Sequence, residues 1–174
     1  MGSSLFVLGG ARSGKSRFAL ESQPATARVT VVATAQAGDA DMAARIARHR
    51  AERPRAWRTV EEPYDLVARV RDACADADAV LVDCLTLWVS NLMLRGDADA
   101  WIVKQAAELA DLLPTVSAAL TLVSNEVGEG VHPATEDGRR FRDLLGAVNQ
   151  RIAAAAARVV FMVAGLPLVV KGPR

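Results

Sequence analysis

Leu5-Phe6-Val7-Leu8 runs without interruption into Gly9-Gly10-Ala11-Arg12-Ser13-Gly14-Lys15-Ser16. The second part fits G-x-x-x-x-G-K-[ST], and a helical pattern begins at Lys15. An apolar strand, a glycine-rich turn and a helix start, in that order, give the match its weight. Glycines let the backbone turn with its N–H groups facing inward, and a helix N-terminus adds partial positive charge. A loop of this kind cradles the phosphates of a nucleoside triphosphate. Lys15 is expected to reach the β- and γ-phosphates, and the Ser16 hydroxyl to ligate Mg²⁺.

Outward from this loop, short β-rich runs recur at residues 5–8, 29–33, 80–82, 120–123, 159–163 and 168–170. Each is almost continuously apolar, as in a parallel sheet buried on both faces. Stretches of helical period lie between them, at residues 39–53, 64–75, 100–119 and 139–157. Strand and helix in alternation read as an α/β fold with right-handed crossovers. Only Ala164-Gly165-Leu166-Pro167 separates the last two strands, which is too short for a crossover helix. The pattern therefore reads as a layered α/β fold, its sheet mostly parallel with an antiparallel C-terminal edge hairpin.

Val80-Leu81-Val82-Asp83 is an apolar strand ending in a carboxylate. Beside a phosphate loop such an acid holds Mg²⁺, directly or through water, so the expected metal ligands are Ser16 and Asp83. Ligands of open α/β sheets gather beyond the carboxyl ends of the strands. Thr34-Ala35-Gln36 and Asn125-Glu126 follow two other strands and should face the same crevice.

Residues 45–58 carry six arginines and one acid within an otherwise neutral chain. Pro54 should end the helix near Arg53. Met42, Ile46, His49 and Arg53 fall at i, i+4, i+7 and i+11, which puts His49 on the apolar, inward stripe. One reading is a half-buried histidine beside a solvated basic face. The sharper reading is a polyanion site, since clustered arginines suit a triphosphate and a neutral imidazole can attack phosphorus to form a covalent intermediate. The other histidine, His132, lies in a glycine-rich loop and reads as a loop residue.

The chain has 174 residues, 51% hydrophobic and 24% charged, and is expected to form a single nucleotide-binding domain over residues 1–174. Lys and Arg number 21 against 20 Asp and Glu, a net charge of +1, which argues against nucleic acid or an anionic membrane as partner. No apolar run approaches the roughly 18 residues of a membrane span. The opening residues lack a basic leader. Cys74 and Cys84 form no CxxC pair and read as buried free thiols of a reducing compartment, so the expected location is cytoplasmic.

Further segments recur in a fixed order along the chain. They are Met42-Ala43-Ala44-Arg45-Ile46 running into His49, Trp57-Arg58-Thr59-Val60-Glu61, Asp83-Cys84-Leu85-Thr86, Val123-Ser124-Asn125-Glu126-Val127-Gly128, Arg140-Phe141-Arg142-Asp143 and Asn149-Gln150. With the phosphate loop, they resemble the bifunctional adenosylcobinamide kinase/adenosylcobinamide-phosphate guanylyltransferase family of cobalamin assembly. The resemblance implies two reactions. A γ-phosphoryl group passes from ATP or GTP to the aminopropanol hydroxyl of adenosylcobinamide. GMP from GTP is then joined to adenosylcobinamide phosphate through a GMP–histidine intermediate, giving adenosylcobinamide-GDP.

By the same resemblance the nucleophile is His49, and Lys15 serves the kinase step. Nucleotide contacts carry over to Gly9 through Ser16, to Thr34, Ala35 and Gln36, to Arg50, Ala51, Glu52 and Arg53, and to Glu61 and Asp83. A three-layer P-loop NTPase fold and a homotrimer are implied as well. Trp88, Trp101 and the loop of residues 126–138 are the candidates for holding the corrin ring. Two other readings compete: a simple P-loop small-molecule kinase without a covalent step, and a non-catalytic nucleotide switch or assembly ATPase.

Overall fold

In the computed structural model, which describes residues 3–173, thirteen elements follow one another. They are β1 (Ser4–Gly9), α1 (Lys15–Glu21), β2 (Val29–Ala33), α2 (Ala40–Ala51), β3 (Arg58–Glu61), α3 (Leu66–Asp76), β4 (Ala79–Asp83), α4 (Leu85–Arg95), α5 (Asp99–Leu112), β5 (Ala119–Asn125), α6 (Glu136–Ala155), β6 (Arg158–Val163) and β7 (Leu166–Lys171). The strands form one seven-stranded sheet in the order β3-β2-β4-β5-β1-β6-β7. Every pairing is parallel except β6 with β7. Each apolar run expected to be a strand is one, and the C-terminal pair is the expected antiparallel hairpin at the sheet edge. A two-residue turn joins that pair, with Ala164 at φ 51° and Gly165 at φ 84°. Two left-handed residues in succession match the right-handed twist of the strands they connect.

The helix layers are unequal. Helices α3, α4, α5 and α6 cover one face over a large cluster that includes Phe6, Leu66, Trp88, Ile102, Leu122 and Leu145. Helix α1 lies over a much smaller cluster built on Val7, Ala19, Val31, Leu81 and Val160. Helix α2 buries no residue at all. Its start is nonetheless well defined, because the Asp39 carboxylate accepts from Met42 N at 2.7 Å.

Three elements depart from the expected pattern. Strand β3 is an edge strand with a half-exposed burial pattern, so its four residues lack the apolar signature of the buried strands. Helix α4 is apolar almost all round, with Leu85, Trp88, Val89 and Leu92 all buried, and therefore shows no helical alternation. Helix α5 stops at Leu112, short of residue 119, because Pro114 cannot continue it. No helix among the described residues is long and apolar enough to cross a membrane. Cys74 and Cys84 are free and buried, and burial pushes the Cys74 thiol up to about 11.

Trp88 belongs to the core rather than to any corrin contact. It is fully buried, and its Nε1–H donates to the Tyr64 carbonyl at 2.8 Å. Trp88→Ala is expected to lower unfolding free energy by ~3–5 kcal/mol, the range for emptying a large aromatic site. Urea denaturation should show this as a lower midpoint with an unchanged slope.

Candidate active site

Strand β1 ends at Gly9 and helix α1 begins at Lys15, so the intervening residues turn within a very short span. Gly14, at φ 91°, caps the helix in a left-handed conformation. A Cβ there would come within 3.2 Å of Gly165 Cα, and the Gly165 N–H donates to the Ser13 carbonyl at 2.9 Å. The β6–β7 turn is thus packed directly against the loop. Lys15 is buried and its Nζ donates to the Gly10 carbonyl at 2.9 Å. Burial holds its ammonium below the usual lysine range; neighbouring Arg45 pushes the same way, against the pull of Asp83.

Beyond the carboxyl ends of β2, β4 and β5 lies a cleft with about 680 Å³ of empty space, part of it open to solvent. Ala33, Ala35, Leu87 and Val123 supply an apolar floor, while Lys15, Ser16, Asp83 and Asn125 line the phosphate-loop side. Helix α2 closes the opposite side with Met42, Arg45, Ile46, His49 and Arg50, followed by Arg53 just beyond its end. The apolar stripe predicted for this helix therefore faces the cleft and not the core. The helix itself ends at Ala51, two residues before Arg53.

The sheet and this helix meet at Asp83. Arg53 Nη2 lies 3.0 Å from Asp83 Oδ2, and His49 Nδ1 lies 3.6 Å from the same oxygen. Arg53 Nη1 also donates to Thr59 Oγ1 on β3 at 3.3 Å. Burial alone would push the Asp83 carboxyl up, but the contacts with His49 and Arg53 outweigh it and hold it below the usual carboxylate range. With its Nδ1 edge turned to Asp83, the His49 ring has Nε2 left for other chemistry. The peptide between Asp83 and Cys84 is cis.

The remaining expected contacts are distributed unevenly. Glu61 lines the cleft and its carboxylate is 3.9 Å from Arg50 Nη1. Thr34 is fully buried; its hydroxyl donates to the Cys84 carbonyl at 2.7 Å and accepts from Cys84 N at 3.0 Å. It ties the end of β2 to the end of β4. Gln36 is exposed and accepts from the Tyr64 hydroxyl at 3.2 Å, whereas Ala35 reaches the cleft. Ala51 is exposed, and Glu52 lines a small adjoining pocket with Ser16, His49 and Arg53. Ala11, Arg12, Arg17 and Arg48 border an open groove between the loop and α2. His132 lies outside the cleft, exposed and 2.8 Å from Arg142 Nη1.

Thr59 and Leu87 escaped sequence reasoning because they sit on β3 and α4, the two elements whose patterns were not legible. Met42 and Ile46 belong to the α2 stripe read from the sequence, and Arg45 to its arginine cluster. Among the described residues, no group of three or more His, Cys, Asp or Glu could hold a metal. The Ser16 hydroxyl and the Asp83 carboxylate, whose Oδ1 takes no hydrogen bond from the described residues, do suit Mg²⁺, which binds through one or two carboxylates together with substrate phosphates.

Residues 5–170 match the family model described as cobinamide kinase / cobinamide phosphate guanyltransferase. The chain is 48% identical to the bifunctional adenosylcobalamin biosynthesis protein CobP of Pseudomonas aeruginosa over 168 residues, covering 95% of this chain and 96% of that protein. It is 40% identical to the bifunctional adenosylcobalamin biosynthesis protein CobU of Escherichia coli, covering 96% and 99%. The namesake protein of Salmonella typhimurium is 38% identical with the same coverage. On nearly full-length similarity to both the family model and these relatives, the chain belongs to the cobinamide kinase / cobinamide phosphate guanyltransferase family of enzymes.

Proposed function

We propose that this chain carries out two successive transfers on adenosylcobinamide during adenosylcobalamin biosynthesis. The observation that carries the reading is the convergence of Lys15, Asp83 and His49 on one cleft. A phosphate-binding loop and a candidate phosphorus nucleophile share a single chamber, which is what one nucleotide site serving two phosphorus centres requires.

In the first transfer the aminopropanol oxygen bonds to the γ-phosphorus of ATP or GTP as the bond to the β–γ bridging oxygen breaks. That electron pair leaves on the nucleoside diphosphate, and the hydroxyl proton passes to water. Lys15 and the loop amides stabilise the charge on the transferring group. Mg²⁺, held by Ser16 and Asp83 with the nucleotide phosphates, would neutralise part of that charge when bound. In the second transfer His49 Nε2 bonds to the α-phosphorus of GTP and pyrophosphate leaves. A phosphate oxygen of adenosylcobinamide phosphate then displaces the imidazole, the P–N electron pair returns to Nε2, and adenosylcobinamide-GDP is formed. Asp83 beside Nδ1 orients the ring and stabilises its positive form.

Incubation with Mg²⁺ and GTP labelled at the α-phosphorus tests the covalent step. Wild type should retain an acid-labile, base-stable label after denaturation, and His49→Ala should retain none while still phosphorylating adenosylcobinamide. Phosphorylation of cobinamide without any labelled protein would favour the plain small-molecule kinase. Lys15→Ala is expected to slow γ-phosphoryl transfer by ~10²–10³-fold, the loss typical of one transition-state charge contact; unchanged turnover would refute the phosphate-loop assignment. We further propose a homotrimer working in the cytoplasm. Sedimentation velocity should then give three times the monomer mass.

A further inference from the structure

Three segments that the two transfers leave without a role, around Thr86, Asn125 and Asn149, meet in the structure at one residue. Asn125 ends β5, and in the parallel pairing of β1 with β5 it stands opposite Gly9, the first glycine of the loop. Its backbone is fixed from both sides. The Asn125 N–H donates to Thr86 Oγ1 at 2.7 Å, and the Asn125 carbonyl accepts from Asn149 Nδ2 at 3.0 Å. Thr86 Oγ1 lies in turn 3.4 Å from Ser124 Oγ, and Thr86, Ser124 and Asn149 are all buried. Side chains from α4 and α6 thus hold one stretch of main chain, with Ser124 beside Thr86, and the side chain they present is the Asn125 amide.

That amide lines the main cleft with Lys15, Ser16 and Asp83. Its Oδ1 is buried without a hydrogen-bond partner among the described residues, and the same holds for Ser13 Oγ in the loop and Asn149 Oδ1 behind it. A phosphoryl oxygen can only accept, so the end of the amide that can meet one is Nδ2, which donates to none of the described residues and, unlike Oδ1, is not buried. The unpartnered oxygens of Ser13, Asn125 and Asn149 belong to residues about the adjacent ends of β1 and β5, while Arg69 Nε and Arg158 Nε, unpartnered as well, lie outside the cleft lining. Lys15 Nζ, folded back onto the Gly10 carbonyl, is at the same ends.

We propose that the Asn125 side-chain amide touches the phosphoryl group in transit from nucleotide to alcohol, donating a hydrogen bond to one of its oxygens, and that Asn149 and Thr86 are the positioning residues that hold it there. This rests on the kinase half of the proposed function. The charge of the transferring group spreads over its equatorial oxygens, so a fixed neutral donor stabilises it without adding a charge that would bind the product nucleotide tightly. The amide lies on the loop side of the cleft, whereas His49 works from the α2 side. Its loss should therefore separate the two reactions.

The test compares wild type with Asn125→Ala, Asn125→Asp and Asn149→Ala. It reads kcat and KM for transfer of γ-label to adenosylcobinamide, and in parallel the covalent α-label on His49. Thermal denaturation with and without GTP establishes that each variant is folded and binds nucleotide, and Asn125→Ser serves if Asn125→Ala does not fold. Asn125→Ala should lower kcat ~10–100-fold, as for loss of one hydrogen bond to a charged group, with less than a threefold change in nucleotide KM and with α-labelling retained. Asn125→Asp, equal in size but anionic, should fall below Asn125→Ala, and Asn149→Ala should show a weaker form of the same kcat loss. A kcat for Asn125→Ala within twofold of wild type overturns the proposal. So does an equal loss of both reactions, or an Asn125→Asp as active as wild type. Failure of the wild type itself to phosphorylate adenosylcobinamide would instead remove the kinase reading on which the proposal stands.

Discussion

Helix α2 carries most of the chemistry on its side of the cleft and buries none of its residues, so apolar packing does not hold it in place. Charge does. The Asp83 carboxylate, at the end of a buried strand, is shared by Arg53 and His49, and the paired side chains of Arg53 and Asp83 are only 8% and 19% exposed. Ion pairs this well shielded from water are costly to break from one side, by ~3–5 kcal/mol, because the remaining charge is stranded. The exposed pair between Arg50 and Glu61 adds little by comparison. The cleft thus has one wall built by the sheet and a second wall attached through a single carboxylate. In the proposed function that carboxylate also holds Mg²⁺, which would couple binding to wall position.

How much of this could be read from the sequence follows from what makes a pattern visible. Five buried strands declare themselves as apolar runs because the sheet is covered on both faces, and the exposed edge strand β7 keeps an apolar run as well. The loop is legible because its glycines and Lys15 are required at fixed spacing. Strand β3 is not, since half of its four residues are charged, and helix α4 is not, since apolar residues run nearly all round it. At the site, Asp83 and His49 were identifiable separately, but their approach depends on where β4 and α2 end in space. Thr34 illustrates the opposite case: its place after a strand suggested a ligand contact, yet its hydroxyl is taken up by the Cys84 backbone. Asn125 was expected at the crevice, but the network that fixes it joins residues from three separate segments.

The position of β1 in the sheet has a consequence for the order in which the site can come into being. The loop-bearing strand is among the first residues in the sequence, yet its two neighbours are β5 and β6, and its loop is clasped by the β6–β7 turn. Pairings that span so much of the sequence form late, because closing long loops costs entropy before contacts repay it. On a ribosome, β1 emerges before β5 and β6 and must wait, apolar and unpaired, until they have been made. The strands β2 and β4 that pair with each other can assemble before then, but no phosphate cradle exists until β5 and the hairpin arrive. Nucleotide affinity on this reading waits for strands far along the sequence: a product ending before β5 could fold part of its sheet without ever competing for the cell's triphosphates.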